Sequence, residues 1–377
     1  MALIQYLTNV HFEFGAVRLL KHELARLGIR APLLVTDRGI AQSGILQRVR
    51  AHLPSIDADR IFEGTPQNPT EAAAAVAAAQ FRARGCDGIV AIGGGSPIDL
   101  AKAAALMATH GGSLEDFAAA AGGIDRITRE VAPVIAVPTT AGTGTEVGRA
   151  AVIVMENGRK MAVVSQYLVP RSAVCDPELT LTLPAGLTAG TGMDAIAHCV
   201  ETLLSPAENP PADAIALDGL ARGAAHIEQA CADGGDRGAR WEMMMASLEG
   251  GLAFQKGLGA VHAMSHPLGA LRGVTVHHGT ANAILLPAVL RFNAPSAGSK
   301  YARMRLSLGL PAGSDVALFF ERLAGRIGLP SSLRAIGVAR EELPALAEAA
   351  AMDFSARTNP RPADADAYLR LYQEAYG

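Results

Sequence analysis

The chain is organised around a histidine-rich stretch that opens with Gly192-Met193-Asp194-Ala195-Ile196-Ala197-His198, continues with His262-Ala263-Met264-Ser265-His266 and closes with His277-His278-Gly279. Asp194 and His198 are four residues apart, as are His262 and His266, and residues at this spacing share one face of a helix. One carboxylate and several imidazoles suit a divalent ion such as Fe²⁺ or Zn²⁺. The apolar neighbours of these histidines predict burial, and a buried imidazole needs a partner. The stretch therefore predicts a metal site, with histidines on a helix surface as the alternative.

Length and composition limit the class of protein. At 377 residues, half of them hydrophobic, the chain is long enough for two domains with separate cores. A net charge of -3 without a basic run gives no electrostatic case for nucleic acid or an anionic membrane. The four cysteines are scattered and residues 1–6 do not form a signal peptide, which favours a cytoplasmic protein. The uncharged run 273–290 contains two histidines and a proline, so we do not expect it to span a membrane.

The first half of the chain alternates β-branched runs with amphipathic segments. These predict strands at 10–14, 32–37, 59–63, 88–92 and 133–138 and helices at 16–27, 70–84 and 98–108. Such alternation is typical of a parallel sheet with helices on both faces. Further on, helices are predicted at 184–204, 213–232, 240–254, 261–271, 280–293, 314–327, 340–351 and 364–376. The sequence therefore predicts an α/β domain at 1–182 and an all-helical domain at 183–377.

Two loops at strand ends predict a dinucleotide site. Gly93-Gly94-Gly95-Ser96 leads from a strand into a helix, whose positive N-terminus and backbone N–H groups suit a diphosphate. Pro138-Thr139-Thr140-Ala141-Gly142-Thr143-Gly144-Thr145-Glu146 offers four hydroxyls for a phosphate, a ribose or a carboxamide. Asp37 ends an early strand, where a carboxylate binds the adenosine ribose and favours NAD over NADP. The alternatives are a plain glycine turn for the first loop and a helix N-cap for Asp37, and the adjacent Arg38 weakens the preference for NAD.

Taken together, the motifs resemble the iron-containing (group III) alcohol dehydrogenase family. The resemblance rests on residues 93–102, 138–146, 189–198 followed by Glu201, 262–269 and 278–283. These motifs keep the family's order over nearly the whole chain. Each alone is moderately specific, and the set is highly specific.

The resemblance implies a fold and a set of ligands. The fold is that of dehydroquinate synthase and its relatives: a dinucleotide-binding α/β domain, then an all-helical metal-binding domain, with the active site in the cleft between them. Asp194, His198, His262 and one of the later histidines would hold a single Fe²⁺, sometimes replaced by Zn²⁺. The family ligand precedes a glycine, which selects His278 and leaves His277 possible. For NAD, the resemblance implies contacts from Asn68, Gly94, Gly95, Ser96, Asp99, Thr139, Thr140, Thr143, Lys160 and Leu179.

The resemblance also implies reversible hydride transfer between a primary alcohol and NAD⁺. His266 would lie beside the metal as a proton relay, or else as a helix histidine bonded to a carbonyl. The substrate could be a short alkanol, a diol or an ω-hydroxy acid such as 4-hydroxybutyrate. Phe254 and Lys256 replace small polar residues that are common in the family, so we expect them to shape substrate choice. Lys256, Arg149 or Arg272 could hold a substrate carboxylate.

Two other enzyme classes fit the sequence less well. A metal- and NAD-dependent cyclase of the dehydroquinate synthase type needs more Lys and Arg residues than this stretch offers. A metallohydrolase would explain the histidines but not the glycine-rich and threonine-rich loops. Because family members usually assemble, we expect a homo-oligomer that binds a small molecule and neither nucleic acid nor membrane.

Overall fold

Two compact units make up the part of the chain that the computed structural model describes, which is residue 6, residues 8–271 and residues 273–377. The sheet unit contains the described residues up to Thr140 together with residues 145–180. The helical unit contains Ala141–Gly144 and Leu181–Gly377.

The strands all lie in the sheet unit. They are β1 (Asn9–Phe12), β2 (Pro32–Val35), β3 (Ile61–Phe62), β4 (Gly88–Gly93), β5 (Val134–Pro138), β6 (Ala150–Val154), β7 (Lys160–Val164) and β8 (Ser172–Cys175). Its helices are α1 (Leu20–Arg26), α2 (Arg38–Gln42), α3 (Ile45–Arg50), α4 (Glu71–Ala83) and α5 (Gly95–Thr109). Six strands form a parallel sheet in the order β1-β8-β5-β4-β2-β3, and β6 and β7 form an antiparallel hairpin.

Alternation along the strands gives the sheet two cores, because successive side chains point to opposite faces. Ile89 and Ala91 of β4 belong to a cluster that includes buried side chains of α4 and α5. Val90 and Ile92, from the same strand, belong to a second cluster with buried side chains of α1 and α3. Both faces of the sheet are therefore covered, and its carboxyl edge is left for the loops.

The helical unit consists of α6 (Ala185–Leu204), α7 (Pro210–Ala232), α8 (Arg237–Ala253), α9 (Ala260–Leu268), α10 (His278–Asn293), α11 (Gly298–Ser307), α12 (Val316–Arg326), α13 (Leu343–Met352) and α14 (Ala365–Tyr376). Side-chain caps define several of these helices: Asn209, Asp236 and Asp364 each accept a backbone N–H in the first turn of α7, α8 and α14. Among the described residues, no helix is long and apolar enough to cross a membrane.

A pair of glycines attaches the segment Ala141–Gly144 to the helical unit. Gly144 has a φ of 60°, and a Cβ on it would lie 2.4 Å from the Cα of Gly251 on α8. No larger side chain fits such an approach of two backbones. Part of the threonine-rich loop is therefore fixed by the packing of α8.

The predicted fold class is confirmed, and the five predicted strands are present. The sequence analysis missed β8, the β6-β7 hairpin and the helices α2, α3 and α11. The helix predicted at 16–27 is a 3₁₀ turn, Ala16–Leu19, that leads into α1. For the hairpin a signal existed, since Asn157-Gly158 between β6 and β7 is a typical hairpin dipeptide.

A cluster of charged side chains joins α7 to α8. Arg222 bonds Asp218 at 2.8 Å and Glu242 at 2.6 Å, and its Nε lies 3.5 Å from Glu249. Burial, helped by the neighbouring Asp218, raises the pKa of Glu249 to about 8. Glu249 is therefore protonated in the folded chain at neutral pH.

We expect the variant Glu249→Gln to gain stability over the wild type as the pH rises from about 6 to about 9. The folded chain binds this proton more tightly than the unfolded chain, so the proton's contribution to stability is fully present below the ordinary pKa of 4.5 and is lost progressively as the pH rises to about 8. Glutamine, which resembles the protonated acid, has no such loss. Melting temperatures of both proteins across this range test the expectation. Glu228→Gln is the matched control, because Arg326 lowers the pKa of Glu228; a similar gain there would contradict our reading of Glu249.

Candidate active site

Three helices of the helical unit bring four predicted ligands together. Asp194 and His198 lie on α6, His262 lies on α9, and α10 begins with His278. Oδ1 of Asp194 lies 3.6 Å from Nε2 of both His262 and His278 and 3.9 Å from Nε2 of His198. Ligand atoms of Asp194, His262 and His278 all lie within 4.8 Å of one another. One carboxylate oxygen is thus surrounded by three imidazole nitrogens.

The cluster depends on a close approach of α10 to α6. A Cβ on Gly279 would lie 2.0 Å from the carbonyl oxygen of Gly190, so only glycine fits at this position. His278 is adjacent to this contact, and Asp194 follows Gly190 by one helical turn. His277 has a different place: its Nδ1 accepts the backbone N–H of Thr280 at 3.3 Å and caps α10. The geometry therefore favours His278 over His277 as the ligand.

Glu201, one turn beyond His198 on α6, orients His262. Its Oε2 lies 2.5 Å from Nδ1 of His262, and its Oε1 accepts the N–H of Val261 at 2.6 Å. A carboxylate is favourable at this position because it lies at the N-terminus of α9. Since an ionised carboxylate only accepts hydrogen bonds, Nδ1 of His262 donates to Glu201. Burial lowers the pKa of His262, but its contacts with Asp194 and Glu201 outweigh burial and raise the pKa to about 9. Nε2, which faces Asp194, therefore also carries a proton at neutral pH, and a metal ion would take the place of that proton.

Burial and mutual charge set the protonation of the cluster. Burial lowers the pKa of His198 to about 4, against the pull of Asp194. Burial alone would raise the pKa of Asp194, but the imidazoles of His198, His278 and His262 hold it well below its usual range. At neutral pH the cluster therefore contains an ionised carboxylate and a neutral His198.

Asn282, on α10, completes the polar centre. Its Nδ2 donates to Oδ1 of Asp194 at 2.7 Å and lies 3.3 Å from Nε2 of both His262 and His278. Its Oδ1 is buried and has no hydrogen-bond partner among the described residues. One carboxylate and three imidazoles, of which only His278 is partly exposed, form a donor set typical of divalent iron or zinc. The residues present therefore fit the predicted metal.

His266 lies next to this cluster on α9. Its Nδ1 is 2.9 Å from Oδ2 of Asp353, and its ring is nearly parallel to that of His278, with 5.7 Å between the centroids. The partner of His266 is thus a carboxylate, whereas the alternative prediction for this residue was a bond to a carbonyl.

The predicted substrate residues have different surroundings. The ring of Phe254 contacts the ring of His198, with 5.3 Å between the centroids, so Phe254 lies beside a candidate metal ligand. Lys256 is buried, and its Nζ bonds Asp213 at 2.5 Å and points to the carbonyl of Leu203 near the end of α6. The charge of Lys256 is thus paired with a carboxylate that is 16% exposed, and contact of Lys256 with a substrate carboxylate stays a prediction. Arg149 is exposed in the sheet unit, and Arg272 lies outside the described residues.

The two predicted cofactor loops lie side by side at the carboxyl edge of the sheet. The N–H of Thr139 donates to the carbonyl of Gly93 at 3.0 Å, which joins the ends of β5 and β4. The hydroxyl of Ser96 bonds the carbonyl that precedes Asn68, and Asn68 accepts from Nζ of Lys160 at 3.0 Å. The hydroxyl of Thr139 is buried and finds no partner within the described part of the chain. Hydroxyl, amide and ammonium groups thus gather at this edge, as a dinucleotide requires.

Asp99, predicted at the diphosphate, has its oxygens bonded within the sheet unit. One oxygen accepts from the hydroxyl of Thr145 at 2.5 Å, and the other accepts from a backbone N–H of β6 at 3.0 Å. Lys102, fully buried, also bonds Thr145. Burial lowers the pKa of Lys102 to about 8, against the charges of Asp99 and Glu146. These contacts support a positioning role for Asp99, and direct contact with NAD stays a prediction.

The remaining predicted cofactor residues have local roles in the structure. Asp37 accepts the N–H of Ile40 at 2.9 Å and caps α2, which is the alternative that the sequence offered. Leu179, 1% exposed, belongs to a core of the sheet unit. Gly94 precedes α5, which begins at Gly95, and Thr140 follows β5, whereas Thr143 belongs to the segment that packs with α8. Ribose binding by Asp37 stays a prediction.

Family models match both halves of the chain. A sheet unit with glycine-rich and threonine-rich loops, followed by helices that carry an aspartate-histidine cluster, is consistent with a metal-dependent oxidoreductase. Residues 8–177 match the iron-containing alcohol dehydrogenases, and residues 188–376 match the C-terminal part of the Fe-containing alcohol dehydrogenase family. The chain belongs to the iron-containing alcohol dehydrogenase family and is an alcohol dehydrogenase.

Individual relatives match over their full length. The chain is 54% identical to the 4-hydroxybutyrate dehydrogenase of Cupriavidus necator over 100% of both chains. It is 36% identical to a 1,3-propanediol oxidoreductase of solved structure, with a TM-score of 0.91 and 100% of both chains covered. The sulfoacetaldehyde reductase of Bifidobacterium kashiwanohense, solved in complex with NAD⁺, is 27% identical, with a TM-score of 0.89 and coverage of 100% of this chain and 98% of that one.

Sequence reasoning gave no role to three polar residues of this region: Glu201, Asn282 and Asp353. Glu201 was within reach, because it follows His198 by three residues and thus lies near the same helix face. Asn282 follows His278 by four residues, and the same argument applies. Asp353 is separated from His266 by 87 residues, and no spacing rule covers such a distance.

We expect Glu201→Gln to weaken metal binding by about 10- to 100-fold without unfolding the chain. Glutamine keeps the shape but removes the charge that fixes the tautomer of His262. Competition with a chelating dye measures the affinity, and circular dichroism checks the fold. Glu242→Gln, in the α7-α8 cluster, is the control and should bind metal as the wild type does. Unchanged affinity in Glu201→Gln would rule out this orienting role.

We expect Lys256→Met to destabilise the helical unit by about 1–2 kcal/mol, because Asp213 loses one charged partner and keeps Arg303 at 3.2 Å. If Lys256 only stabilises the fold, the KM of the variant for carboxylated and uncarboxylated alcohols should change in the same proportion, if at all. Urea denaturation and steady-state kinetics test the two parts. A rise in KM confined to carboxylated substrates would indicate that Lys256 contacts the substrate carboxylate.

Proposed function

We propose that the protein is an NAD- and iron-dependent dehydrogenase that interconverts 4-hydroxybutyrate and its semialdehyde. The observation that carries this proposal is the 54% identity, over the full length of both chains, to a 4-hydroxybutyrate dehydrogenase. A diol is the second candidate substrate, since a 1,3-propanediol oxidoreductase is also similar over its full length.

The proposed metal ligands are Asp194, His198, His262 and His278. The donors within 3.9 Å of the Asp194 oxygen support this assignment. Fe²⁺ is proposed from the family, and Zn²⁺ suits the same donors. When bound, such an ion acts as a Lewis acid towards an alcohol or carbonyl oxygen.

The proposed NAD site uses the loops at the carboxyl edge of the sheet. Gly94, Gly95 and Ser96 would receive the diphosphate at the N-terminus of α5, where backbone N–H groups are free of helix partners. The other proposed contacts are Asp37, Asn68, Asp99, Thr139, Thr140, Thr143, Lys160 and Leu179. Asp37 would favour NAD over NADP, and a bound NAD supplies the hydride acceptor. The domain limits we propose are 1–182 for NAD binding and 183–377 for metal binding.

Four side chains have proposed roles towards the substrate. Phe254 contacts His198, so its ring would form one wall of the space next to the metal cluster and would limit the size of the substrate. Arg149 and Lys256 are both proposed substrate contacts, although Asp213 already pairs with Lys256. His266 would take up the hydroxyl proton, because its ring packs against His278 and its Nδ1 is held by Asp353. We also propose that the protein is cytoplasmic and assembles into a homo-oligomer.

We expect the protein, reconstituted with Fe²⁺ under nitrogen, to reduce NAD⁺ with 4-hydroxybutyrate. Its kcat/KM for this substrate should exceed that for 1,3-propanediol by about 10- to 100-fold, because one charge-assisted hydrogen bond to a carboxylate contributes about 1.5–3 kcal/mol. NADH absorbance measures both rates, and 1-butanol, which lacks the carboxylate, is the matched substrate. A higher kcat/KM for the diol would assign the protein to the second candidate substrate, and no NADH with any alcohol would contradict the dehydrogenase.

A further inference from the structure

We propose that Asp353 is a positioning residue that acts through His266 by holding its imidazole with the proton on Nδ1 and the lone pair on Nε2. The inference rests on the proposed part of His266 in alcohol oxidation. It gives a task to a buried carboxylate that lies outside the metal ligands and their hydrogen-bond partners.

The carboxylate of Asp353 is fixed at both oxygens. Oδ2 lies 2.9 Å from Nδ1 of His266, and Oδ1 accepts the backbone N–H of Ser355 at 2.8 Å. The side chains of His266 and Asp353 are 6% and 8% exposed, so water competes little for either bond. Neither partner can rotate without losing a buried hydrogen bond, which is unfavourable because water cannot replace the lost partner.

Aromatic neighbours set the plane of the His266 ring. The ring of Phe354 is stacked on it, with 5.6 Å between centroids and 18° between planes. The ring of His278 lies at 5.7 Å and 5°, and that of His262 makes an edge contact at 5.9 Å. The hydrogen bond to Asp353 and these contacts together leave the imidazole one orientation, next to two of the candidate metal ligands.

This orientation decides which ring nitrogen can accept a proton. An ionised carboxylate has no hydrogen to donate, so Nδ1 must donate and a neutral ring keeps its lone pair on Nε2. Oxidation of a primary alcohol transfers a hydride from carbon to NAD⁺ and releases the hydroxyl proton, giving aldehyde, NADH and H⁺. Nε2 can accept that proton in the tautomer that Asp353 imposes. In the opposite tautomer Nε2 already carries a hydrogen and cannot.

A purely structural role for Asp353 is the competing explanation, because Asp353 also caps the 3₁₀ turn Phe354–Thr358. The variant Asp353→Asn separates the two roles. Its single amide oxygen can keep the cap at Ser355, since asparagine caps as well as aspartate. Its NH₂ group then faces Nδ1 of His266, which must accept, and the proton moves to Nε2.

The first experiment is a double-mutant cycle with Asp353→Asn and His266→Ala on the metal-reconstituted protein, using an alcohol that the wild type oxidises. Asp353→Asn alone should lower kcat by about 100-fold with KM for NAD⁺ within about 2-fold. In the His266→Ala background it should lower kcat by less than about 2-fold, because the residue through which it acts is gone. An equal loss in both backgrounds would overturn the proposal.

Asp364→Asn is the matched control, since Asp364 caps α14 by accepting the backbone N–H of Ala367. It should keep the wild-type kcat, melting temperature and metal content. Asp353→Asn should keep the wild-type melting temperature and metal content.

The second experiment reads the tautomer without turnover. Histidine-labelled ¹⁵N NMR of the Zn²⁺-loaded protein, with His266→Ala to assign the signal, should show the proton on Nδ1 in the wild type and on Nε2 in Asp353→Asn. A wild type with the proton on Nε2 would overturn the proposal even if kcat fell as expected. If the wild type oxidises no alcohol, the proposed function fails, and this spectrum still decides whether Asp353 sets the tautomer.

Discussion

The negative charge of Asp194 is the constraint on which the helical unit depends. A carboxylate 2% exposed is unfavourable unless charges or hydrogen-bond donors surround it. Those groups come from three helices: His198 from α6 itself, His262 from α9, and His278 and Asn282 from α10. Because their side chains are short, the helices must approach closely, and the contact of Gly190 with Gly279 makes this possible. The close packing of these helices and the gathering of the candidate metal ligands therefore depend on the same residues.

The periodicity of the sequence predicted those features that arise within a single helix or strand. The spacing of four residues placed Asp194 with His198, and alternating hydrophobic runs predicted the parallel sheet and its loops. Contacts between distant elements were out of reach, as for Asp353 and His266. The β6-β7 hairpin was missed because its five-residue strands are too short to show a period, although its turn dipeptide was visible.

Charged residues were hardest to assign from sequence, because a buried charged side chain can either contact a ligand or bond another part of the protein. Lys256 was predicted to hold a substrate, and the structure uses it to bond Asp213 near the end of α6. Asp99 was predicted at the diphosphate, and its oxygens bond Thr145 and β6. Both residues belong to motifs near predicted ligand positions, so their neighbours in sequence could not separate contact from positioning. The hydrogen-bond and ion-pair partners seen in the structure are needed to tell these two roles apart.

The two histidines of α9 show how one spacing serves two purposes. His262 and His266 are four residues apart, and each offers Nδ1 to a carboxylate, Glu201 in one case and Asp353 in the other. Each carboxylate holds a proton on Nδ1 of its ring and leaves Nε2 on the side of the ring that faces away from that carboxylate. The Nε2 of His262 lies among the candidate ligands, 3.6 Å from Asp194, whereas His266 is stacked beside the cluster. The same hydrogen-bonding arrangement would thus suit the proposed metal ligand at one position and the proposed proton acceptor at the other. Because the i, i+4 pattern is common to both, the sequence showed the pair, and the partners of each Nδ1 were needed to describe what each histidine does.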